Sequence, residues 1–155
     1  MFKPEKILVP TDFSENDDMC SIMAVKQAVG IATQFNSELV LLHVVTEELS
    51  KMPLFFLDDE KIDGLQDKMN EHARHLLEAI KEKHIPDSLK VTLKIRQGVA
   101  YDEILKEVKE STIDLITISS RGHSTLTDFF YGSTTERVVR RATCSVLVVR
   151  KIIDR

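Results

Sequence analysis

Apolar residues along the chain follow two patterns: short unbroken runs, and stripes spaced three and four apart. Lys6 to Thr11 (KILVPT) is a run closed by Pro10, as expected of a strand buried on both faces. Glu38 to Val45 (ELVLLHVV) is a second run, apolar except for Glu38 and His43. Ile113 to Ile118 (IDLITI) and Ser145 to Val149 (SVLVV) predict a fourth and a fifth strand. The third has a different pattern. Leu89, Val91, Leu93 and Ile95 alternate with Lys90, Thr92, Lys94 and Arg96, which predicts a strand wet on one face and near a sheet edge, ended by Gly98.

Between these runs the spacing turns helical. Ser14 and Asp17 supply an N-cap region for a helix through about Phe35, with Ile22, Val25, Ala28, Val29 and Ala32 as its stripe. Leu65, Met69, Ala73, Leu76, Leu77 and Ile80 mark a long amphipathic helix from about Ile62 to Lys83, ended by Pro86. A short helix after Gly98 turns Ile104, Leu105 and Val108 inward, and another opens at Ser133. There Ser133-Thr134-Thr135-Glu136 fits a capping box. Thr46 to Leu65 has no clean period and reads as an irregular or partly helical excursion. Five strands separated by helices, with no hairpin signal, require a mostly parallel sheet covered on both faces. The expected fold is α/β, a single doubly wound domain over residues 1–155.

Composition narrows the function. Of 155 residues, 43% are apolar and 30% charged, with only 5 Gly and 4 Pro, which excludes disordered and low-complexity classes. The net charge of −4 with no Lys/Arg cluster argues against nucleic-acid or anionic-membrane partners. Cys20 and Cys144 lie far apart, form no C-x-x-C pair and read as reduced, buried residues. The opening MFKPEK leads into a run too short for a signal peptide or a membrane span, so a cytoplasmic location is expected. His72, His75 and His84 read as solvated, and His43 as a satisfied core histidine.

In an open parallel sheet the ligand site lies past the carboxyl ends of the strands, where strand order reverses. Two segments there carry suitable chemistry. Asp12 places a carboxylate just after the first strand, beside Pro10 and Thr11. Ser119-Ser120-Arg121-Gly122, with Gly132-Ser133 at a helix start, offers hydroxyls, a guanidinium and unpaired backbone N–H groups suited to an anion. No G-x-x-x-x-G-K-[ST], G-x-G-x-x-G or G-x-S-x-G is present, which argues against a P-loop NTPase, a dinucleotide-binding dehydrogenase and a serine hydrolase.

Together, ILVPTDFS, LVLLHVV and ITISSRGHSTLTDFFYGSTTERVVRRATCSVLVVR resemble the universal stress protein family over essentially the whole chain. The resemblance implies a five-stranded parallel sheet of order 3-2-1-4-5, with the Asp12 and Ser119–Gly122 loops facing across the reversal. One branch of the family binds ATP through G-x-x-G-x9-G-[ST]. Gly122, His123 to Tyr131 and Gly132-Ser133 match its last two-thirds, and Ser119 replaces the first glycine. On that resemblance Pro10, the Val44 backbone and Ile118 contact adenine, and Asp12 binds the ribose with Thr11 adjacent. Gly122, Gly132, Ser133 and Thr134 hold the phosphates, with Ser119, Ser120 and Arg121 nearby. Magnesium or manganese arrives with the ATP phosphates. If the loop needed a glycine-only conformation, Ser119 would cost about 1 kcal/mol or more, up to roughly tenfold in affinity.

The expected function is that of a cytoplasmic ATP-binding stress-response sensor or signalling module, with at most slow ATP hydrolysis for want of a general base. The resemblance also implies a homodimer through the C-terminal strand Ser145 to Arg150, whose apolar edge invites pairing. The alternative is a stress-response interaction module that binds no nucleotide and works through dimerisation and partner contacts.

Overall fold

The computed structural model describes residues 1–12, 18–46, 58–120 and 132–150. Its elements run β1 (Lys6–Pro10), α1 (Asp18–Phe35), β2 (Glu38–Val45), α2 (Asp59–His84), β3 (Val91–Gln97), α3 (Ala100–Glu110), β4 (Leu115–Ser119), α4 (Ser133–Arg141) and β5 (Ser145–Val149). The five strands pair in parallel in the order β3-β2-β1-β4-β5, as the family resemblance implies.

Strand alternation divides the core into two layers. Ile7, Val9, Leu39 and Leu41 meet Ala24, Val25, Ala28 and Ala32 of α1 and Leu77 of α2 on one face. Leu8, Val40, Leu42, Ile116 and Ile118 meet Ile104 and Val108 of α3 and Val138 of α4 on the other. Both faces of β1 and β2 are therefore dry, which is why these strands read as unbroken apolar runs. The small side chains of α1 let it lie close against the central strands.

The sheet splits where β1 stops pairing. β1 remains paired with β2 through Pro10 and Leu42, but with β4 only through Leu8 and Ile116. Pro10 has no N–H to extend a ladder, so β1 and β4 part beyond this point. The reversal of strand order thus opens at the carboxyl ends of β1 and β4.

Several expectations need correction. β3 is a sheet edge as expected, but its polar face is only partly wet: Lys90 stays exposed, whereas Arg96 is bonded to Glu103, Glu107 and Glu110 of α3, each at 2.8 Å. Helix α3 buries Glu103, Ile104, Glu107 and Val108, while Leu105 is only half-buried. The two glutamates take inward positions because β3 offers cations there. Gly132, not Ser133, is the N-cap of α4, and no side chain caps that end. The capping box is replaced by an ion pair of Glu136 with Arg140 at 3.0 Å. β4 begins at Leu115, and Ile113 is buried just before it. α2 starts at Asp59 with Asp58 as its cap, so the end of the Thr46 to Leu65 excursion is regular helix. The part of it at residues 47–57 lies outside the described residues, as do Ser14, Asp17 and the side chain of Cys20. Cys144 is half-buried rather than buried, and burial raises its thiol pKa.

Candidate functional site

Parting of β1 and β4 leaves a cleft of about 700 Å³ at the carboxyl end of the sheet. Its floor is formed by the strand ends: Pro10, Thr11 and Asp12 after β1, Val44 and Val45 of β2, and Ile118 and Ser119 of β4. One wall is the start of α4, with Gly132, Ser133 and Thr134. Met69, Ala73 and Leu76 of α2, and Ala100 and Ile104 of α3, supply apolar walls.

The turn after β1 is held rigidly. Thr11 N–H donates to the Leu42 carbonyl at 2.8 Å, and the Thr11 carbonyl accepts from His43 Nδ1 at 2.8 Å. Ser21 Oγ donates to Asp12 Oδ1 at 2.9 Å, linking the carboxylate to α1. His43 is hydrogen-bonded, as a satisfied histidine is, but it is half-buried rather than in the core and lines the cleft. Burial pushes its pKa below the usual histidine value, against the opposing effects of the Thr11 carbonyl and Asp12.

On the opposite side, β4 is clasped to α4. Gly132 N–H donates to the Ser120 carbonyl at 3.0 Å, and Thr135 Oγ1 donates to the Ser119 carbonyl at 2.8 Å. Ser120 N–H donates to the Val149 carbonyl at 2.9 Å, which extends the β4–β5 pairing into the loop. These bonds aim the first turn of α4 at the cleft. Its first N–H groups, which have no partner within the helix, and the helix dipole favour an anion there. Ser119 is the last residue of β4, paired with Val149, and it is not among the residues with positive φ. Serine therefore causes no backbone strain at the position where the motif has its first glycine.

The register of β2 gives the cleft a polar edge. Main-chain groups alternate along a parallel strand. The Leu42 carbonyl faces β1, where Thr11 bonds it, and the Val45 carbonyl faces β3, where Gly98 N–H bonds it at 3.0 Å. Val44 thus directs its N–H and C=O to the β1 side, beyond the last β1–β2 pair. One donor and one acceptor stand side by side on the β2 edge that faces the gap beyond Pro10.

Of the residues singled out from sequence, Pro10, Thr11, Asp12, Val44, Ile118, Ser119, Gly132, Ser133 and Thr134 line this one cleft. Ser120 stands behind it as the acceptor for Gly132. Arg121 and Gly122 lie outside the described residues. Sequence reading missed His43, Ser21 and the contribution of α2. His72 is exposed, as expected, yet it faces the cleft beside Met69. Among the described residues no group of three or more His, Cys, Asp or Glu could hold a metal ion, and no helix is long and apolar enough to cross a membrane.

Fold and cleft define a doubly wound α/β protein with a ligand-sized opening at the reversal of strand order. The universal stress protein family model matches residues 3–150, and the chain belongs to that family. Universal stress protein MJ0577 of Methanocaldococcus jannaschii is 32% identical, with 95% of each chain aligned. The solved structure of MJ0577 aligns with a TM-score of 0.82 over 99% of this chain and 100% of its own. UspA of Lactobacillus plantarum is 28% identical, with a TM-score of 0.69 over 94% of this chain and 97% of its own. A family member from Arabidopsis thaliana, solved with AMP bound, shares the fold at 20% identity and a TM-score of 0.68, over 96% of this chain and 93% of its own.

Proposed function

We propose that the cleft binds an adenine nucleotide, with ATP as the physiological ligand. The observation that carries this reading is the open Val44 main-chain edge, whose donor and acceptor complement N1 and the 6-amino group of adenine. Pro10 and Ile118 supply apolar surfaces for the base on either side of that edge. Asp12, oriented by Ser21, accepts from the ribose hydroxyls. Ser133 and Thr134 donate main-chain N–H groups to phosphate oxygens at the α4 terminus, with Ser120, Arg121 and Gly122 completing the cradle. Gly132 contributes through close approach of its backbone, because its N–H is already bonded to Ser120. Magnesium or manganese is carried by the phosphates and water, not by a protein carboxylate cage. The AMP held by the Arabidopsis protein of the same fold is consistent with this ligand class.

Among the described residues of the cleft, Asp12 is read as the ribose ligand and His43 is bonded to the Thr11 carbonyl, and we read the chain as a sensor or signalling module in the stress response of the cytoplasm, with at most slow ATP hydrolysis. We infer that the working form is a homodimer joined through Ser145 to Arg150. β5 is the edge of the sheet, and Val139 on neighbouring α4 is 43% exposed. Sedimentation of wild type and Val148→Lys tests this, with a dimer and a monomer expected; a dimeric variant would refute the interface.

The nucleotide reading is tested on protein purified without added ligand. A chain lacking Trp should show excess absorbance at 260 nm that is released on denaturation and identified as adenylate. Asp12→Ala should lose that excess. A preparation with no nucleotide, and no uptake on incubation with millimolar ATP, would reject the reading.

A further inference from the structure

We propose that His43 is a positioning residue of this cleft, diverting the Thr11 carbonyl so that the Val44 N–H remains available to read a purine ring. The inference rests on the adenine-nucleotide reading above and assigns the source of its base selectivity. A parallel ladder that carries Thr11 N–H to the Leu42 carbonyl would next carry Val44 N–H to the Thr11 carbonyl. That step does not occur. The Thr11 carbonyl accepts instead from His43 Nδ1 at 2.8 Å.

A carbonyl oxygen only accepts, so Nδ1 carries the hydrogen in either charge state of the ring. Thr11 is buried and tied to β2 through its whole main chain: its N–H to Leu42 and its C=O to His43. Two effects follow from this one bond. The chain entering Asp12 is fixed in direction, and the Val44 N–H is spared from the ladder. Adenine presents an acceptor at N1 and a donor at N6, which match the Val44 pair. Hypoxanthine reverses both, with a donor at N1 and an acceptor at O6. By holding one carbonyl, His43 therefore sets a preference for adenine over 6-oxopurines.

The experiment measures ATP and ITP affinity, thermal midpoint and amide hydrogen exchange at Val44 in wild type, His43→Asn and His43→Leu. The Asn amide nitrogen sits near the position of Nδ1 and restores the bond; Leu cannot. Wild type and His43→Asn should prefer ATP and exchange the Val44 amide readily. His43→Leu should lose about tenfold of the ATP preference, with ITP affinity little changed, as the Val44 N–H turns to Thr11 and its exchange slows. If His43→Leu does not fold, His43→Gln, whose donor lies one bond further out, makes the same comparison. An unchanged ATP-to-ITP ratio would overturn the proposal, as would a wild-type Val44 amide already protected. Equal weakening of both nucleotides in every variant, in step with stability, would reduce His43 to a structural residue. A wild type that binds ATP but fails these comparisons overturns the role of His43 alone, whereas one that binds no nucleotide overturns the ligand reading and this role together.

Discussion

Ser21 Oγ lies 2.9 Å from Asp12 Oδ1, so a residue of α1 holds the carboxylate that follows β1. The bond orients the carboxylate at the cleft that Asp12 lines. Ser21→Ala should weaken ATP about threefold to tenfold, since a hydrogen bond to a charged group contributes roughly 1.5 kcal/mol and part of it is lost through reorientation alone. Asp12→Ala should weaken it further. Titration calorimetry on both variants checks the order, and equal affinity for Asp12→Ala and wild type would remove Asp12 from the site.

Ser119 occupies the position of the motif's first glycine without a glycine-only backbone, since it ends a regular strand. Ser119→Gly should therefore change ATP affinity by less than about threefold, rather than the roughly tenfold gain expected from relief of left-handed strain. A gain of tenfold or more in the same titration would show that the serine side chain obstructs the ligand.

Glu107 is fully buried between β3 and α3, where Lys94 Nζ and Arg96 Nη1 each lie 2.8 Å from its oxygens and Ser111 Oγ donates to it. Burial alone would raise its pKa, but the bonds from Lys94, Ser111 and Arg96 outweigh burial and hold it below the usual glutamate value. Glu103 is also lowered, first by its bond from Lys106, against burial, and then by Arg96. Both carboxyls take up protons at lower pH in the folded than in the unfolded chain. Their contribution is complete above the ordinary glutamate value of about 4.3 and disappears as pH falls through the folded values. Urea unfolding at pH 7 and pH 3.5 should show wild type losing this increment and Glu107→Gln losing less. At pH 7, Glu107→Ala should cost about 3 kcal/mol, because two cations lose a buried partner.

Thr112 follows α3 with φ 54°, and Ile113 N–H bonds back to the Val108 carbonyl at 3.0 Å. This is a Schellman ending with a β-branched residue where glycine is preferred. Thr112→Gly should stabilise the fold by up to about 1 kcal/mol, with Thr112→Asn gaining less. Urea midpoints decide this, and a lower midpoint for Thr112→Gly would show that the Thr112 side chain contributes more than its backbone strain costs.

Sheet and helix order were legible because β1, β2 and β4 are buried by their neighbours, while β5, half-buried at the sheet edge, still keeps an apolar run of four residues. The face of β3 was misread because a single sequence cannot tell a cation in water from Lys94 and Arg96 held by glutamates of α3. Leu105 was misplaced for the same reason: Glu103 and Glu107 occupy the inward positions an apolar rule would reserve for it. Strand ends and motif spacing pointed to Asp12 and Ser133, and the family resemblance pointed to Val44. His43 was missed as a site residue because its role depends on where β1 stops pairing, which register determines and hydropathy does not. Met69 and His72 were likewise hidden, since which face of α2 overlooks the cleft is fixed only by packing.

The most direct test is calorimetric titration of nucleotide-free chain with ATP, using inorganic triphosphate and ribose 5-phosphate as comparison ligands. One ATP per chain should bind saturably at submillimolar concentration, much tighter than either fragment, because base, sugar and phosphates contact different walls of one cleft. Absence of heat with millimolar ATP, or triphosphate binding as tightly as ATP, would contradict it.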